Sequence, residues 1–383
     1  MSWRDKIIDK EIDFLAEKIR LRAESEEMTP LQRFACMVTG QEPDRLPIAA
    51  ASMEWSAHYI GYQLNRDFAH DYKKWVHAAL VGVDRFGGDM CAPIYDIYNI
   101  GPEEMGAEII FPEDAIPEVR KPGVNTPEDL KKLKVPDPYK DGRMSLMLEA
   151  CKLLREKIGD VVPILATVNA PFSWAANLRG IYDYLADLKR NPKFARDLLE
   201  IVTEAATGYV KAMNDHGFMP VLLADATATS YLLSPKQLED YGVWSYRKIE
   251  EALGPGSFTG TIWGDFETQA KFTKMGVPSF MGITNYTYCD RTGTDPLKEE
   301  DILEQKRVAK ELGVPIMTSL WGQWVMVHTP REIDEEIKRV IKLAGPDWPF
   351  MVGVFYIPLG TPVENIDALV HAIKKYGKFP IHL

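Results

Sequence analysis

Cysteine is scarce: Cys36, Cys91, Cys151 and Cys289 are the only four in 383 residues, and no two form a Cys-x-x-Cys pair. That excludes a disulfide framework and a cysteine-rich zinc module, and a reduced cytoplasm is the compartment it predicts. Basic charge is also short. Forty-five Lys and Arg stand against 56 Asp and Glu, a net charge of −11, so no concentrated basic surface is expected and neither a nucleic acid nor an anionic membrane is a partner. No apolar run approaches the ~20 residues needed to span a bilayer. Residues 1–27 are charged and helical in pattern, without the apolar core of a signal peptide, so export is not expected. Also missing are a GxxxxGK[ST] loop, a GxGxxG turn after the first strand, a GxSxG elbow and an HExxH helix, which sets aside the chemistries those motifs carry. What is abundant is aromatic: 9 Trp, 16 Tyr and 15 Phe in a chain that is 46% hydrophobic.

Short apolar runs of strand length recur, each followed by helical spacing. Strands are expected at 46–51 (LPIAAA), 84–88 (DRFGG), 161–167 (VVPILAT), 219–225 (MPVLLAD), 257–263 (SFTGTIW), 279–284 (SFMGIT), 315–320 (PIMTSL) and 349–355 (PFMVGVF). Amphipathic helices are expected over 71–81, 143–158, 192–215, 234–253, 298–312, 330–343 and 362–376. Ser234-Pro235, Thr329-Pro330 and Thr361-Pro362 each place a capping hydroxyl before a proline suited to a first helical turn. Eight alternations predict an α/β fold, a (β/α)8 TIM barrel, with an open doubly wound sheet as the alternative. It forms one domain: N-terminal helices over 1–45, the barrel over 46–383, and a loop excursion over 89–142 after the second strand, covering the mouth and holding a short strand at 107–111 (AEIIF).

Barrel active sites lie at the C-terminal strand ends. The residues there are Glu54 and His58 after the first strand, Asp89, Tyr95 and Asp96 after the second, Asn169 after the third and Asp225 after the fourth. Trp263, Asp265 and Glu267 follow the fifth, Tyr286 the sixth, Trp321 the seventh, and Phe355 and Tyr356 the eighth. Glu54 and His58 are four apart, one helical face, suited to general acids or metal ligands, or merely to a solvated surface. Asp225 ends an apolar strand, where an unpaired carboxylate is costly unless it is used. The converging rings suit an apolar or aromatic substrate or a flat macrocycle, or else pack the loops. A hard-ligand metal site from Glu54, His58, Asp225, Asp265 or Glu267 is a further option.

Longer motifs carry a resemblance. TPLQRFACMVTGQEPDRLPI (29–48), APFSWAANLRG (170–180), LLSP (232–235) and TPVENIDALVHAIKKYG (361–377) follow one another in the order of the uroporphyrinogen decarboxylase and corrinoid methyltransferase superfamily, which the chain resembles nearly throughout. The resemblance implies a TIM barrel and a choice between branches. The decarboxylases hold a polycarboxylate with arginines after the first strand, whereas SMEWSAHYIGYQL (52–64) has none. The thiol methyltransferases bind zinc through His-x-Cys-Gly after the fifth strand and a Cys after the eighth. The matching residues here are Thr261, Trp263 and Phe355, which offer zinc no nitrogen or thiolate donor, so zinc at that site is not expected.

What the resemblance leaves is the substrate side of such systems, as in the aryl methyl ether O-demethylases. A methyl group passes from a small methylated donor, here a methoxylated aromatic, to the cob(I)alamin of a separate corrinoid protein. The expected catalytic residues are His58, Glu54, Asp225, Asp265 and Asn169. Trp263, Tyr286, Trp321, Phe355, Tyr356 and Asp89 are the expected substrate-binding residues. Cobalamin would come from the partner protein, and the chain would be a cytoplasmic enzyme able to form a homodimer. A lyase acting on a smaller carboxylic substrate and a non-catalytic binding protein are the alternatives.

Overall fold

A computed structural model describes residues 3–50, 52–93, 95–113, 115–218, 221–254, 259–262, 266–277, 283–284, 296–345, 347–354 and 356–383. The strands are β1 (Ile48–Ala50), β2 (Glu108–Ile110), β3 (Glu118–Lys121), β4 (Thr167–Asn169), β5 (Val221–Ala224), β6 (Thr259–Ile262), β7 (Ile283–Thr284), β8 (Ile316–Ser319) and β9 (Phe350–Val354). Two parallel sheets run in the orders β1-β9-β8-β7 and β4-β5-β6. The segment following Gly88 links them. Asp89 N–H donates to Ile48 O at 3.0 Å, Cys91 N–H to Pro163 O at 3.0 Å, and Leu165 N–H to Cys91 O at 2.8 Å. Counting that segment, eight parallel strands build the TIM barrel, and β4, β5, β8 and β9 are buried at every position, as parallel strands covered on both faces require.

Local chemistry explains most boundaries. Thr29 with Gln32, Ser234 with Gln237 and Thr329 with Glu332 form capping boxes ahead of prolines, satisfying amides that the first turn leaves free. Thr361 does not cap: the last helix is Val363–Tyr376, Pro362 precedes it, and the Thr361 hydroxyl is buried without a partner among the described residues. The helix expected over 234–253 is interrupted by a π turn at Leu238–Val243, where a side chain on Gly242 would meet the Phe272 ring.

The second strand is displaced from its expected place. Helical hydrogen bonding continues over Tyr72–Phe86 and stops at Gly87, which has φ 64° and closes the helix in the left-handed region. The strand pairing therefore begins at Asp89, and Asp89 lies at the N-terminal end of the barrel, beside the first residue of β1. It is locked there. Arg33 Nη1 lies 3.0 Å from Asp89 Oδ1 and Arg45 Nη1 2.5 Å from Oδ2, while Ile48 N–H donates to Oδ2 at 2.8 Å. Arg33 also grips Asp44 in two bonds of 2.6 and 2.7 Å and lies 2.5 Å from Glu26. Arg33, Asp44 and Arg45 of the 29–48 motif thus close the base of the barrel.

The excursion carries the antiparallel β2–β3 hairpin, which contains the expected strand at 107–111. It is anchored to the segments following β1 and β4: Leu64 N–H donates to Glu113 O, and Gly123 N–H to Leu178 O at 2.9 Å. Gly101, at φ 99°, lies so close to the Trp174 indole that a Cβ would overlap the ring. Gly101→Ala is expected to cost about 1–3 kcal/mol through overpacking alone, with the left-handed backbone adding to it; a fall in thermal midpoint without a change in secondary structure checks this. Among the described residues no helix is long and apolar enough to cross a membrane.

Candidate active site

Three carboxyl groups and one amide gather at the C-terminal strand ends. Ser52, just past β1, caps the helix Met53–Tyr59 by accepting Trp55 N–H at 3.4 Å, and its hydroxyl donates to Glu54 Oε2 at 3.3 Å. Glu54 therefore occupies the first turn after β1. Burial pushes its carboxyl up to about 7, with the negative charge of Asp96 adding to the effect. Glu54 also raises the phenols of Tyr95 and Tyr356, in each case behind a larger contribution from burial, so these groups share one region. His58 does not join it. Exposed, one turn further on, it lies on a helix whose Trp55 and Tyr59 rings stack at 5.1 Å and whose Trp55 meets Phe86 edge-on at 5.2 Å. Phe86 precedes the base of the barrel, so the helix leads away from the mouth.

Asp96 is the carboxylate that the displaced strand brings to the mouth in place of Asp89. Its backbone takes φ 51°, a left-handed conformation that few residues but Gly, Asn and Asp adopt readily. Arg143 Nη1 donates to Asp96 Oδ2 at 2.6 Å, Arg143 Nε to Glu103 Oε2 at 2.6 Å, and the Asn99 amide to Asp96 Oδ1. Burial still pushes Asp96 up to about 7 against the pull of Arg143.

Asp225 follows β5 and is 2% exposed. Oδ1 accepts the Ser173 hydroxyl at 2.6 Å and Ala228 N–H at 3.1 Å, while Oδ2 has no hydrogen-bond partner among the described residues. Burial lifts this carboxyl to about 6, the Ser173 bond opposing it. Ser173 is held in turn by Thr227 N–H at 3.0 Å. Ser173→Ala is expected to raise the Asp225 carboxyl further and to cost about 1–2 kcal/mol, since it strands Thr227 N–H; pH-dependent thermal denaturation checks both. Asn169 ends β4 with its Nδ2 donating to Tyr98 O at 2.8 Å, so the excursion lies directly over it.

Tyr356 is 46% exposed at the end of β9, and Trp321, half-buried, opens the short helix after β8. Glu267 is on an outer helix, 3.4 Å from Lys271. Trp263, Asp265, Tyr286, Phe355 and the side chain of Thr261 lie outside the described residues. Among the described residues no three His, Cys, Asp or Glu side chains form a cluster that could hold a metal ion. Ser173 and Arg143 are the site residues that the sequence reading lacks, and Asp96, named there after the second strand, is given no role of its own.

Known proteins share this architecture. A methyltransferase from Methanosarcina mazei of known structure superposes with a TM-score of 0.74 at 21% identity, covering 91% of this chain and 99% of that one. A methylated-thiol–coenzyme M methyltransferase of Methanosarcina mazei is 25% identical, covering 91% of this chain and 90% of the relative. A methylcobamide:CoM methyltransferase of Methanosarcina acetivorans is 32% identical, covering 68% and 72%. A uroporphyrinogen decarboxylase of Anaeromyxobacter dehalogenans is 25% identical, covering 77% and 83%. With the uroporphyrinogen decarboxylase (URO-D) model matching residues 29–376, this chain belongs to the URO-D family.

Proposed function

We propose that the protein is a corrinoid-dependent methyltransferase that removes the methyl group of a small methoxylated aromatic. The observation that carries this reading is the set of carboxyls at the mouth, Glu54 and Asp96 held up to about 7 and Asp225 to about 6. An acid that keeps its proton near neutral pH is what a departing phenolate needs.

A reduced corrinoid on a separate protein supplies a cobalt nucleophile for the methyl carbon; the carbon–oxygen bond breaks and its electron pair stays on oxygen. Glu54, partly exposed at the mouth, donates the proton to that oxygen. Arg143 and Asn99 fix Asp96, and burial, with the Asp96 charge adding to it, keeps Glu54 protonated. Asp225 and Asn169 orient the ring from the β4–β5 side, and Trp321 and Tyr356 offer ring surface against which it stacks. Tyr231, 70% exposed, and Leu232, 49% exposed, join Tyr356 on the rim as the apolar surface that would meet the flat corrin face.

Zinc does not fit the position used by the family's thiol methyltransferases, because Thr261, Trp263 and Phe355 provide neither thiolate nor imidazole. A polycarboxylate substrate would meet Glu54 in a 52–64 segment without arginine. The test is a panel of methoxyarenes, methylamines and methyl thiols incubated with the protein and a reduced corrinoid carrier, followed by the corrinoid absorbance. Response to methoxyarenes is expected; response to methyl thiols alone would overturn the reading.

A further inference from the structure

The first helix, Trp3–Ser25, lies against the outside of the barrel and carries two apolar stripes. Ile12, Ala16, Ile19 and Ala23 are buried where the helix packs on Tyr72–Phe86 and Gly142–Ile158, with the three-and-four spacing of an inward face. Polar contacts pin that face. Lys73 Nζ is 2.6 Å from Asp9 Oδ1 and Lys157 Nζ 2.8 Å from Asp13 Oδ1, while Arg22 Nη1 donates to the Val83 and Asp84 carbonyls at 3.0 Å each. The second stripe faces away. Ile7, Phe14 and Leu21 are 43%, 68% and 58% exposed, and a seven-residue step along a helix returns to within about 20° of its starting direction. Their line runs nearly opposite the buried one. Single exposed apolar residues are ordinary, whereas three at heptad intervals, on a helix fixed to its barrel, have the spacing of a helix-pairing seam.

We infer that this stripe pairs two copies of the chain through their first helices, antiparallel, about a two-fold axis at Phe14. A two-fold contact uses the same patch on both copies. Phe14 then meets Phe14, and Ile7 meets Leu21, each seven residues from the axis. Like flanks face one another in such a pair, and their charges are complementary. On one flank Lys10 and Glu17 are exposed and form no ion pair among the described residues. Lys10, four residues before the axis, comes within one residue's rise, about 1.5 Å, of level with Glu17, three residues after it, and symmetry makes the pair twice. Glu11 and Lys18 repeat the pattern on the other flank, where His77 at 3.6 Å and Asp84 at 2.7 Å already hold them in place. The helix runs from Asp9, beside Lys73, to Arg22, at the last turn of Tyr72–Phe86, which ends at the base of the barrel. An antiparallel pair therefore points the two mouths in opposite directions and leaves each open, whatever the substrate.

The test is sedimentation of the whole chain over a range of concentrations at low salt, where surface ion pairs are screened least. One helix per copy is at the small end of specific interfaces, so a reversible dimer is expected, forming towards ~200 µM and dissociating near ~1 µM. Phe14→Lys should raise the dissociation constant at least ~100-fold, because the lost ring burial and the new charge both enter the contact twice. Phe14 is exposed, so this variant keeps its fold, and circular dichroism checks that it does. Lys10→Glu and Glu17→Lys should each weaken the dimer about 3–10-fold, and an equimolar mixture of the two should restore it, since every cross-copy pair is then of opposite charge. In a parallel pair Glu17 of the second copy would stand seven residues, about 10 Å, from Lys10, and mixing would restore nothing. A monomer at every concentration, a dimer indifferent to Phe14→Lys, or no gain on mixing overturns the inference.

Discussion

Glu54→Gln is expected to lower the rate of methyl transfer by about 10²–10⁴-fold, the range for loss of a positioned general acid, while making the folded protein more stable at pH 8. The opposite signs come from one cause. Burial lifts the Glu54 carboxyl from 4.5 in the unfolded chain to about 7 in the fold. The folded state therefore holds the proton more tightly, and stability is lost as pH rises from about 4.5 through about 7. Gln carries no charge to bury. Its advantage should be absent below pH 4.5 and complete above pH 7, at about 1–2 kcal/mol given the partial exposure of the residue. Denaturant melts at pH 4 and pH 8, beside single-turnover rates, check both halves. A variant equally stable at the two pH values and fully active would remove Glu54 from the chemistry.

Asp89→Ala is expected to cost about 3–5 kcal/mol, the penalty for breaking a buried ion pair from one side. Arg33 and Arg45 would be left facing a cavity with only Glu26 and Asp44 to balance them, and Ile48 N–H at the start of β1 would lose its acceptor. Catalysis by the folded fraction should be nearly unchanged, because Asp89 is at the opposite end of the barrel from Glu54, Asn169 and Asp225. Chemical denaturation combined with kcat measured well below the melting temperature separates the two effects. Lost activity at unchanged stability would put Asp89 back at the substrate.

These two residues show where the sequence was legible. Parallel barrel strands bury both faces, so Val221–Ala224 and Phe350–Val354 stand out as apolar runs, and the carboxylate closing the first of them, Asp225, could be placed at the mouth. Asn169 was placed there too, although β4 extends two residues past the expected strand, because a shift that small leaves the residue at the same end. The second strand failed because Phe86-Gly87-Gly88 reads equally well as the end of a strand or the stop of a helix. Deciding it needs the left-handed φ of Gly87, which no apolar pattern reports. The error moved Asp89 from the base to the mouth and ranked it above its neighbour Asp96, whose value to the site lies in its pairing with Arg143 across 47 residues. His58 was misleading for another reason: a spacing of four puts it on the face of Glu54 but says nothing of where the helix leads. That Thr261, Trp263 and Phe355 stand where the resemblance places zinc ligands is a matter of residue identity and needs no geometry.

The most direct measurement is the pH dependence of a single turnover of 2-methoxyphenol with a reduced corrinoid protein, scored by the catechol released. Catechol is expected in step with the corrinoid absorbance change, at a rate that falls as pH rises through about 7 and loses that dependence in Glu54→Gln. No catechol at any pH, with a methyl thiol demethylated under the same conditions, would contradict it.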